Sequence, residues 1–154
     1  MLDEALVAAY RATDYVLFVG DGADVTLNIG RPNPAFDRVL DLRGAACAVV
    51  VTAYNPRSVV LPDAENQARH ARLTALLESR GFDYAIGEGR DPTGHWQAEV
   101  ECVVFGISVA AGLELARAFD QNAIVFVTRG AAPELAYPQL QPLDTPSGRR
   151  DRTL

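Results

Sequence analysis

The sequence predicts an α/β or α+β fold in a single domain, with helices packed on a mixed sheet of about six strands. Segments with the pattern of strands alternate along the chain with segments of helical periodicity. The length of 154 residues suits one domain, and a content of 49% hydrophobic and 22% charged residues is that of a globular protein with its own core. We therefore expect one domain over residues 1–130 and a proline-rich, partly ordered C-terminal extension over 131–154.

The first part of the chain predicts a helix, a hairpin and a second helix. Residues 2–10 place apolar side chains at helical spacing, with an aspartate as cap. Two apolar segments, 15–19 and 25–29, flank a turn of glycine and aspartate and predict a β-hairpin, which favours a mixed sheet over a purely parallel one. Residues 33–44 follow as a helix, with asparagine and proline at its start and glycine at its end.

The second part predicts a central strand followed by alternating helices and strands. Residues 46–53 form a continuous apolar run, typical of a strand that is buried on both faces. The glycine-rich segment 87–94 predicts the longest break in the chain. The other predicted elements are helices over 63–80 and from Ser108 onward, and strands over 82–86, 100–107 and 123–127.

The charge of the chain restricts its partners. The formal net charge is −6, and all 14 basic side chains are arginines. Without lysine, the protein has neither a Schiff-base lysine nor the lysine of a phosphate-binding loop. An acidic chain without a basic stripe predicts that nucleic acid is not a partner. No apolar run approaches the ~18 residues of a membrane span, so a membrane partner is not expected either.

The N-terminus and the cysteines predict a cytoplasmic protein. The first residues are acidic where a secretory signal would be basic. Cys47 and Cys102 each lie within an apolar run, which favours buried core thiols over a disulfide or a nucleophile.

A first group of candidate site residues follows the central strand. Ligands of open α/β sheets bind beyond the carboxyl ends of the strands, and here that position holds Asn55, Arg57 and Ser58. Arg57 and Ser58 could hold an anion, whereas the alternative is an ordinary turn in which Asn55 bonds its own backbone. Asn66 lies on the apolar stripe of the next helix, where it either caps the first turn or contacts a ligand.

A second group lies in and just after the glycine-rich break, because such loops often carry function. Glu88 is an acid/base candidate, and Arg90, like Arg57, is a candidate clamp for an anion. Trp96, the one tryptophan of the chain, is either a stacking platform for a ligand or a hydrophobic plug.

The strand and the turn that follow add carboxylates and amides. Glu99 and Glu101 lie two apart on one strand face, and Glu99 is the second acid/base candidate. Paired carboxylates can bind a metal or share a proton, although they are more often an exposed strand edge. Gln121 and Asn122 link the last helix to the last strand, either as ordinary turn residues or as hydrogen-bonding partners of a ligand.

Motifs predict neither a metal site nor a cofactor. The chain has no GxGxxG after a strand, no CxxC and no HExxH. A magnesium site built from carboxylates stays open, and the cofactor and the oligomeric state are left undetermined.

Four parts of the chain, taken together, are similar to one family. They are the segment 52–58, Asn66, the segment 87–92 with Trp96 and Glu99, and the segment 119–124. In this combination the chain resembles a bacterial family, domain of unknown function 3293, from about residue 5 to residue 128. The resemblance implies no activity, but its pattern matches Asn55, Pro56, Ser58, Asn66, the Gly87-Glu88-Gly89 turn, Trp96, Glu99, Gln121 and Asn122.

Two positions depart from that family. Asp120 stands where similar proteins tend to have glycine, and Glu101 stands where they tend to have a small polar residue. Both departures make the expected site of this chain more acidic than the resemblance implies.

Two functions follow from these residues. The first is a small-molecule- or nucleotide-binding cytosolic domain, or an enzyme that uses a glutamate acid/base with asparagine, glutamine and arginine contacts to its ligand. It is favoured because the candidates lie at strand and helix ends that could converge, and it predicts one concave pocket. The alternative is a non-catalytic interaction or regulatory protein that binds a protein partner through an acidic surface, and it predicts an exposed apolar patch without a deep pocket.

Overall fold

A computed structural model of the protein describes residues 2–20 and 22–142 and confirms the fold class, helices packed on a sheet within one α+β domain. A 3-10 turn over Pro56–Ser58 follows the central strand. In the described residues the helices are α1 (Glu4–Ala12), α2 (Pro34–Arg43), α3 (Asp63–Ser79) and α4 (Val109–Ala118). The strands are β1 (Asp14–Leu17), β2 (Val25–Leu27), β3 (Cys47–Thr52), β4 (Asp83–Arg90), β5 (Glu99–Phe105), β6 (Ile124–Thr128) and β7 (Glu134–Ala136).

The strands form one seven-stranded sheet in the order β2-β1-β4-β5-β3-β6-β7. Each of its pairings is antiparallel, although the sequence predicted a mixed sheet. The helical crossovers explain the difference. Helix α3 connects β3 to β4, which lie on either side of β5, and α4 connects β5 to β6, which lie on either side of β3. Strands joined by a helix therefore run in the same direction but are never neighbours.

Helices cover both faces of the sheet and enclose two cores. On one face, α2 inserts Phe36 and Leu40 against alternate side chains of the central strands, such as Val50 and Val103. On the other face, α3 and α4 cover the side chains of opposite parity, for example Val49, Val104 and Leu77. This division arises because successive side chains of a strand point to opposite faces of the sheet. It accounts for the continuous apolar run of β3, which contributes to both cores.

The cysteines are free thiols, and their surroundings agree with the sequence-based interpretation in part. Cys102 is buried in the core under α3 and α4, as predicted for a core thiol. Cys47 is only partly buried, and its sulfur donates to the carbonyl oxygen of Ile107 at 3.2 Å.

The predicted break at 87–94 is wrong in its first half, because β4 continues to Arg90. Gly87 and Gly89 face the side of the sheet that carries Ala85, and they pair with β1 on one edge and β5 on the other. A Cβ atom at Gly87 would collide with the carbonyl oxygen of Val16. These glycines therefore permit close strand contact, where sequence reasoning took them for a loop signal.

Strand β7 lies within the segment that the sequence predicted as a C-terminal extension. It pairs with β6 and forms one edge of the sheet, and Leu135 packs against the first core. The remainder of that segment, 143–154, lies outside the described residues. Among the described helices, none combines the length and the apolar character needed to cross a membrane.

Candidate functional site

A cavity of about 450 Å³ lies on the α2 face of the sheet, beside α1. Its floor is formed by the end of β3 and the start of β5, represented by Val50, Thr52 and Glu101. Its sides come from α1 and from the loops 54–61 and 95–98. The volume falls within the range of pockets that hold small organic ligands.

Two carboxylates of β5 face this cavity. Glu99 and Glu101 are two residues apart on the strand face that also carries Val103, so that both side chains project to the same side. Glu101 is only 4% exposed, and its Oε1 atom is fully buried without a hydrogen-bond partner among the described residues. The absence of a side chain at Gly89 makes room for it, since a Cβ there would lie 3.3 Å from Oε2 of Glu101.

Burial raises the pKa of both carboxyl groups, but not to the same extent. Desolvation raises the pKa of Glu101 well above the usual value, and the nearby charges of Glu99 and Glu88 raise it further. Desolvation also raises the pKa of Glu99, but the amide of Asn55 donates to its Oε2 at 2.6 Å and favours the ionised form. The pKa of Glu101 is therefore raised more strongly than that of Glu99, so that Glu101 is the first of the pair to take up a proton as pH falls.

Asn55 positions Glu99 through its partly buried amide, which the buried amide of Asn66 holds in place. The side chain of Asn66 accepts from the backbone N–H of Asn55 at 2.9 Å and donates to its Oδ1 at 2.8 Å. The same Oδ1 accepts from the backbone of Leu61, which leaves the Asn55 amide with partners on every side. Asn66 itself is 3% exposed. The two asparagines thus lock the loop after β3 onto the start of α3 and aim one N–H at Glu99.

The same loop holds an unfavourable backbone conformation. Asn55, Arg57 and Ser58 all have positive φ, at 47°, 53° and 62°. Such a conformation costs of order 1–3 kcal/mol for a non-glycine residue and is concentrated at functional sites. The asparagine network compensates this cost locally. Asp120 also has a positive φ of 53°, a backbone conformation that glycine adopts most readily.

Hydrogen bonds tie the turn before β6 to the same loop. Gln121 is buried, lines the cavity and donates to the carbonyl oxygen of Tyr54 at 3.0 Å. Asn122 donates to the hydroxyl of Ser58 at 3.0 Å, and that hydroxyl lies 3.4 Å from the Tyr10 hydroxyl of α1. These contacts fix the cavity wall, and they leave the amide of Gln121 committed to backbone oxygens.

Four of the ten predicted site residues lie away from the cavity wall. Side-chain alternation along β4 places Glu88 on the opposite face of the sheet, where it pairs with Arg90 at 2.9 Å. Arg57 turns outward to Asp120 at 3.2 Å and to the carbonyl oxygen of Gln141. Asn122 lines a separate, shallower depression beside the C-terminal segment. Both arginines are therefore paired with carboxylates, and neither reaches the cavity.

The other six predicted residues converge on the cavity. They are Asn55, Ser58, Asn66, Trp96, Glu99 and Gln121. Trp96 is 37% exposed at the cavity wall. Sequence reasoning singled out Glu101 only as a partner of Glu99 and missed three tyrosines that line the wall, Tyr10, Tyr15 and Tyr54. The spacing of Glu99 and Glu101 was the signal for the acidic pair, whereas α1 and β1 carried no signal that they approach it.

The comparisons with known proteins agree with the resemblance expected from the sequence. Residues 51–124 match the family described as protein of unknown function (DUF3293). This segment runs from the end of β3 to the start of β6 and includes all the cavity carboxylates and amides described above. A search of the curated proteins and a search of the solved structures gave no match.

Proposed function

We propose, from the premise that residues 51–124 belong to the DUF3293 family, that this protein binds a small organic molecule in the cavity against Glu99 and Glu101. The observation that carries the proposal is the buried carboxyl group of Glu101, a residue of the cavity wall whose Oε1 atom has no hydrogen-bond partner among the described residues. An unsatisfied buried polar atom is costly, and a ligand that hydrogen-bonds it would recover that cost.

The state of the two carboxyl groups supports an acid/base role at the same place. Glu99, whose ionised form the Asn55 amide favours, is the better proton acceptor, and Glu101, whose pKa is raised well above its usual value, is the better proton donor. Environments that separate the pKa values of two neighbouring carboxyl groups are a recurring basis of acid/base chemistry. If the protein is an enzyme, we expect Glu99 to be the base and Glu101 the acid.

The cavity favours ligand binding over the alternative of partner binding through an acidic surface. Large hydrophobic side chains are exposed singly, for example Leu42 on α2 and Tyr137 after β7, and as the neighbouring pair Val59 and Val60 beside the cavity. Single exposed apolar residues are normal on a protein surface. By contrast, the described residues enclose one cavity that combines aromatic walls with buried carboxyl groups.

The proposal includes a bacterial cytosolic location. Two free thiols, at Cys47 and Cys102, suit a reducing compartment. The bacterial character rests on the family resemblance alone. Detection of the protein in the soluble cytosolic fraction of its source cells, rather than in a secreted or membrane fraction, is the corresponding test.

The ligand proposal is tested by a fragment screen on ¹⁵N-labelled protein. We expect fragments of mixed charge to shift the backbone amides of Gly89, Glu99 and Glu101. Ala98→Trp, at the cavity wall, should abolish these shifts, whereas the matched variant Ala110→Trp on the exposed start of α4 should retain them. A library that binds nowhere, or that shifts only outer-surface amides in both variants alike, would contradict the proposal.

A further inference from the structure

The cavity wall carries negative but no strongly basic side chains. Glu99, Glu101 and Asp63 line it, while no arginine does so among the described residues, and the chain has no lysine. His95 reaches the wall, but it is exposed, and its Nδ1 lies 2.9 Å from the hydroxyl of Thr93. An anionic ligand would therefore meet like charge in a partly desolvated site, which is unfavourable.

Aromatic and aliphatic groups complete the wall. Aromatic rings come from Tyr10, Tyr15, Tyr54 and Trp96. Aliphatic side chains such as Val50 also line the wall. The hydroxyl of Tyr15 already donates to the carbonyl oxygen of Tyr10 at 2.9 Å, so that its ring rather than a free donor is available. Aromatic rings beside carboxylates are the combination that recognises organic ammonium groups, through cation–π attraction and charge-assisted hydrogen bonds.

We propose that the ligand is an organic amine, whose ammonium group binds Glu99 and Glu101 while an apolar body contacts the aromatic wall. This inference rests on the proposed function and names the ligand class of the same site. An ammonium group supplies donors for the carboxyl group of Glu101, whose Oε1 atom has no partner among the described residues, and a positive charge that the wall itself does not provide. A neutral hydroxyl would supply a hydrogen-bond donor but no positive charge, and a carboxylate would supply neither a donor nor a positive charge.

Binding of an amine should release a proton. The titratable groups around Glu101 are Glu99 on the same strand, Glu88 on β4, Tyr15 on β1 and the thiol of Cys102, and none is cationic. An ammonium ion is the first positive charge brought to this cluster, and it favours the ionised form of Glu101. The affinity for an amine should therefore rise with pH, by at most tenfold per unit, until Glu101 is ionised in the free protein.

The experiment compares two matched series of probes by amide-shift titration. One series is benzylamine, benzyl alcohol and phenylacetate, and the other is 4-phenylbutylamine, 4-phenylbutanol and 4-phenylbutyrate. We expect the amine of at least one series to bind at least tenfold more tightly than its alcohol and its carboxylate. Calorimetry of that amine in buffers of different ionisation enthalpy should report proton release at neutral pH.

Variants assign the effect to the carboxyl groups. Glu101→Gln should abolish the proton release, and Glu99→Gln should weaken amine binding at least tenfold with less effect on the alcohol. The control Glu114→Gln, on the exposed face of α4, should retain wild-type affinity and proton release. Glu99→Gln keeps the inference testable if Glu101→Gln does not fold.

The outcomes separate this inference from the proposed function. An alcohol or a carboxylate that binds as tightly as the amine at the cavity amides overturns the ligand class and leaves the cavity as a binding site. Amine probes that bind nowhere, when library fragments do shift the cavity amides, overturn the ligand class in the same way. If neither the probes nor the library shift these amides, both proposals fail.

Discussion

At the scale of single residues, Glu101 is the most informative position of the protein. Its side chain is an ordinary acid in the sequence, but in the fold burial and the charge of Glu99 raise its pKa well above the usual value. The strand pattern alone placed Glu99 and Glu101 on one face, with an exposed edge as the more common outcome. In the structure α1 and the loop 54–61 lie over that face, and Glu101 is buried there.

The raised pKa of Glu101 predicts how stability depends on pH. The folded state holds the proton more tightly than the unfolded chain, so its stabilisation is fully present below the unfolded pKa of about 4.3 and is lost as pH rises through the folded pKa. The variant Glu101→Gln has no ionisable group at this position, so it does not lose this stabilisation as pH rises. The free energy of unfolding of this variant, relative to that of wild type, should therefore increase as pH rises from about 5 to about 8. The increase is about 1.4 kcal/mol for each unit by which the fold raises the pKa of Glu101.

Urea unfolding of both proteins across this pH range measures the difference. Glu114→Gln is the control, because this glutamate is exposed and should leave the wild-type pH dependence unchanged. Parallel stability curves for Glu101→Gln and wild type would show that Glu101 ionises normally in the folded protein.

At the scale of elements, β4 shows how a strand can be built from residues that predict a loop. The Gly87-Glu88-Gly89 segment pairs on both edges, and the missing side chains admit the backbone of β1 and the carboxyl group of Glu101. Sequence reasoning predicted the neighbouring strand β5 almost completely, because its apolar run is unambiguous. A glycine within a strand has no such local pattern, because the requirement for glycine comes from atoms of the neighbouring strand.

The contact between β4 and β1 predicts a large effect of Gly87→Ala. The new methyl group would meet the Val16 carbonyl oxygen at a distance that Cβ atoms do not adopt, so the two strands must separate. We expect a loss of about 1–3 kcal/mol or more in the free energy of unfolding, together with faster hydrogen exchange of β1 amides.

Gly22→Ala is the matched control for this substitution. A Cβ atom at Gly22 has its nearest neighbours at 3.5 and 3.6 Å, and its φ is not in the positive range. We expect it to change stability by no more than about 1 kcal/mol. Equal stabilities of the two variants would mean that β4 and β1 are not in close contact at Gly87.

At the scale of the whole molecule, the sheet divides the protein into two cores that share only its backbone. Val127 is buried on the α2 face, and Val104 is buried on the face of α3 and α4. Phe36 and Phe105, by contrast, stack directly within one core, with ring centroids 6.4 Å apart. Energetic coupling between residues should therefore follow the faces of the sheet rather than distance along the chain.

Double-mutant cycles test this division. Val127→Ala and Val104→Ala should each cost about 2 kcal/mol and add to within about 0.5 kcal/mol. Phe36→Leu and Phe105→Leu should be non-additive by about 0.5 kcal/mol or more, because the two rings are in contact. Denaturant unfolding of the four single and two double variants measures both couplings, and a coupling across the sheet as large as that within one core would contradict the division.

The sequence by itself determined the fold class, most helices and strands, and a resemblance to the family that residues 51–124 match. These features depend on local periodicity, helix caps and apolar runs, which can be recognised in the sequence alone. Only the tertiary structure decided the strand order, the antiparallel pairing and the meeting of Glu101, Asn55 and the tyrosines of α1 and β1 around one cavity. The physical reason is that strand pairing and burial are non-local. The same glutamate is an exposed strand residue or a buried wall residue according to which elements pack around it.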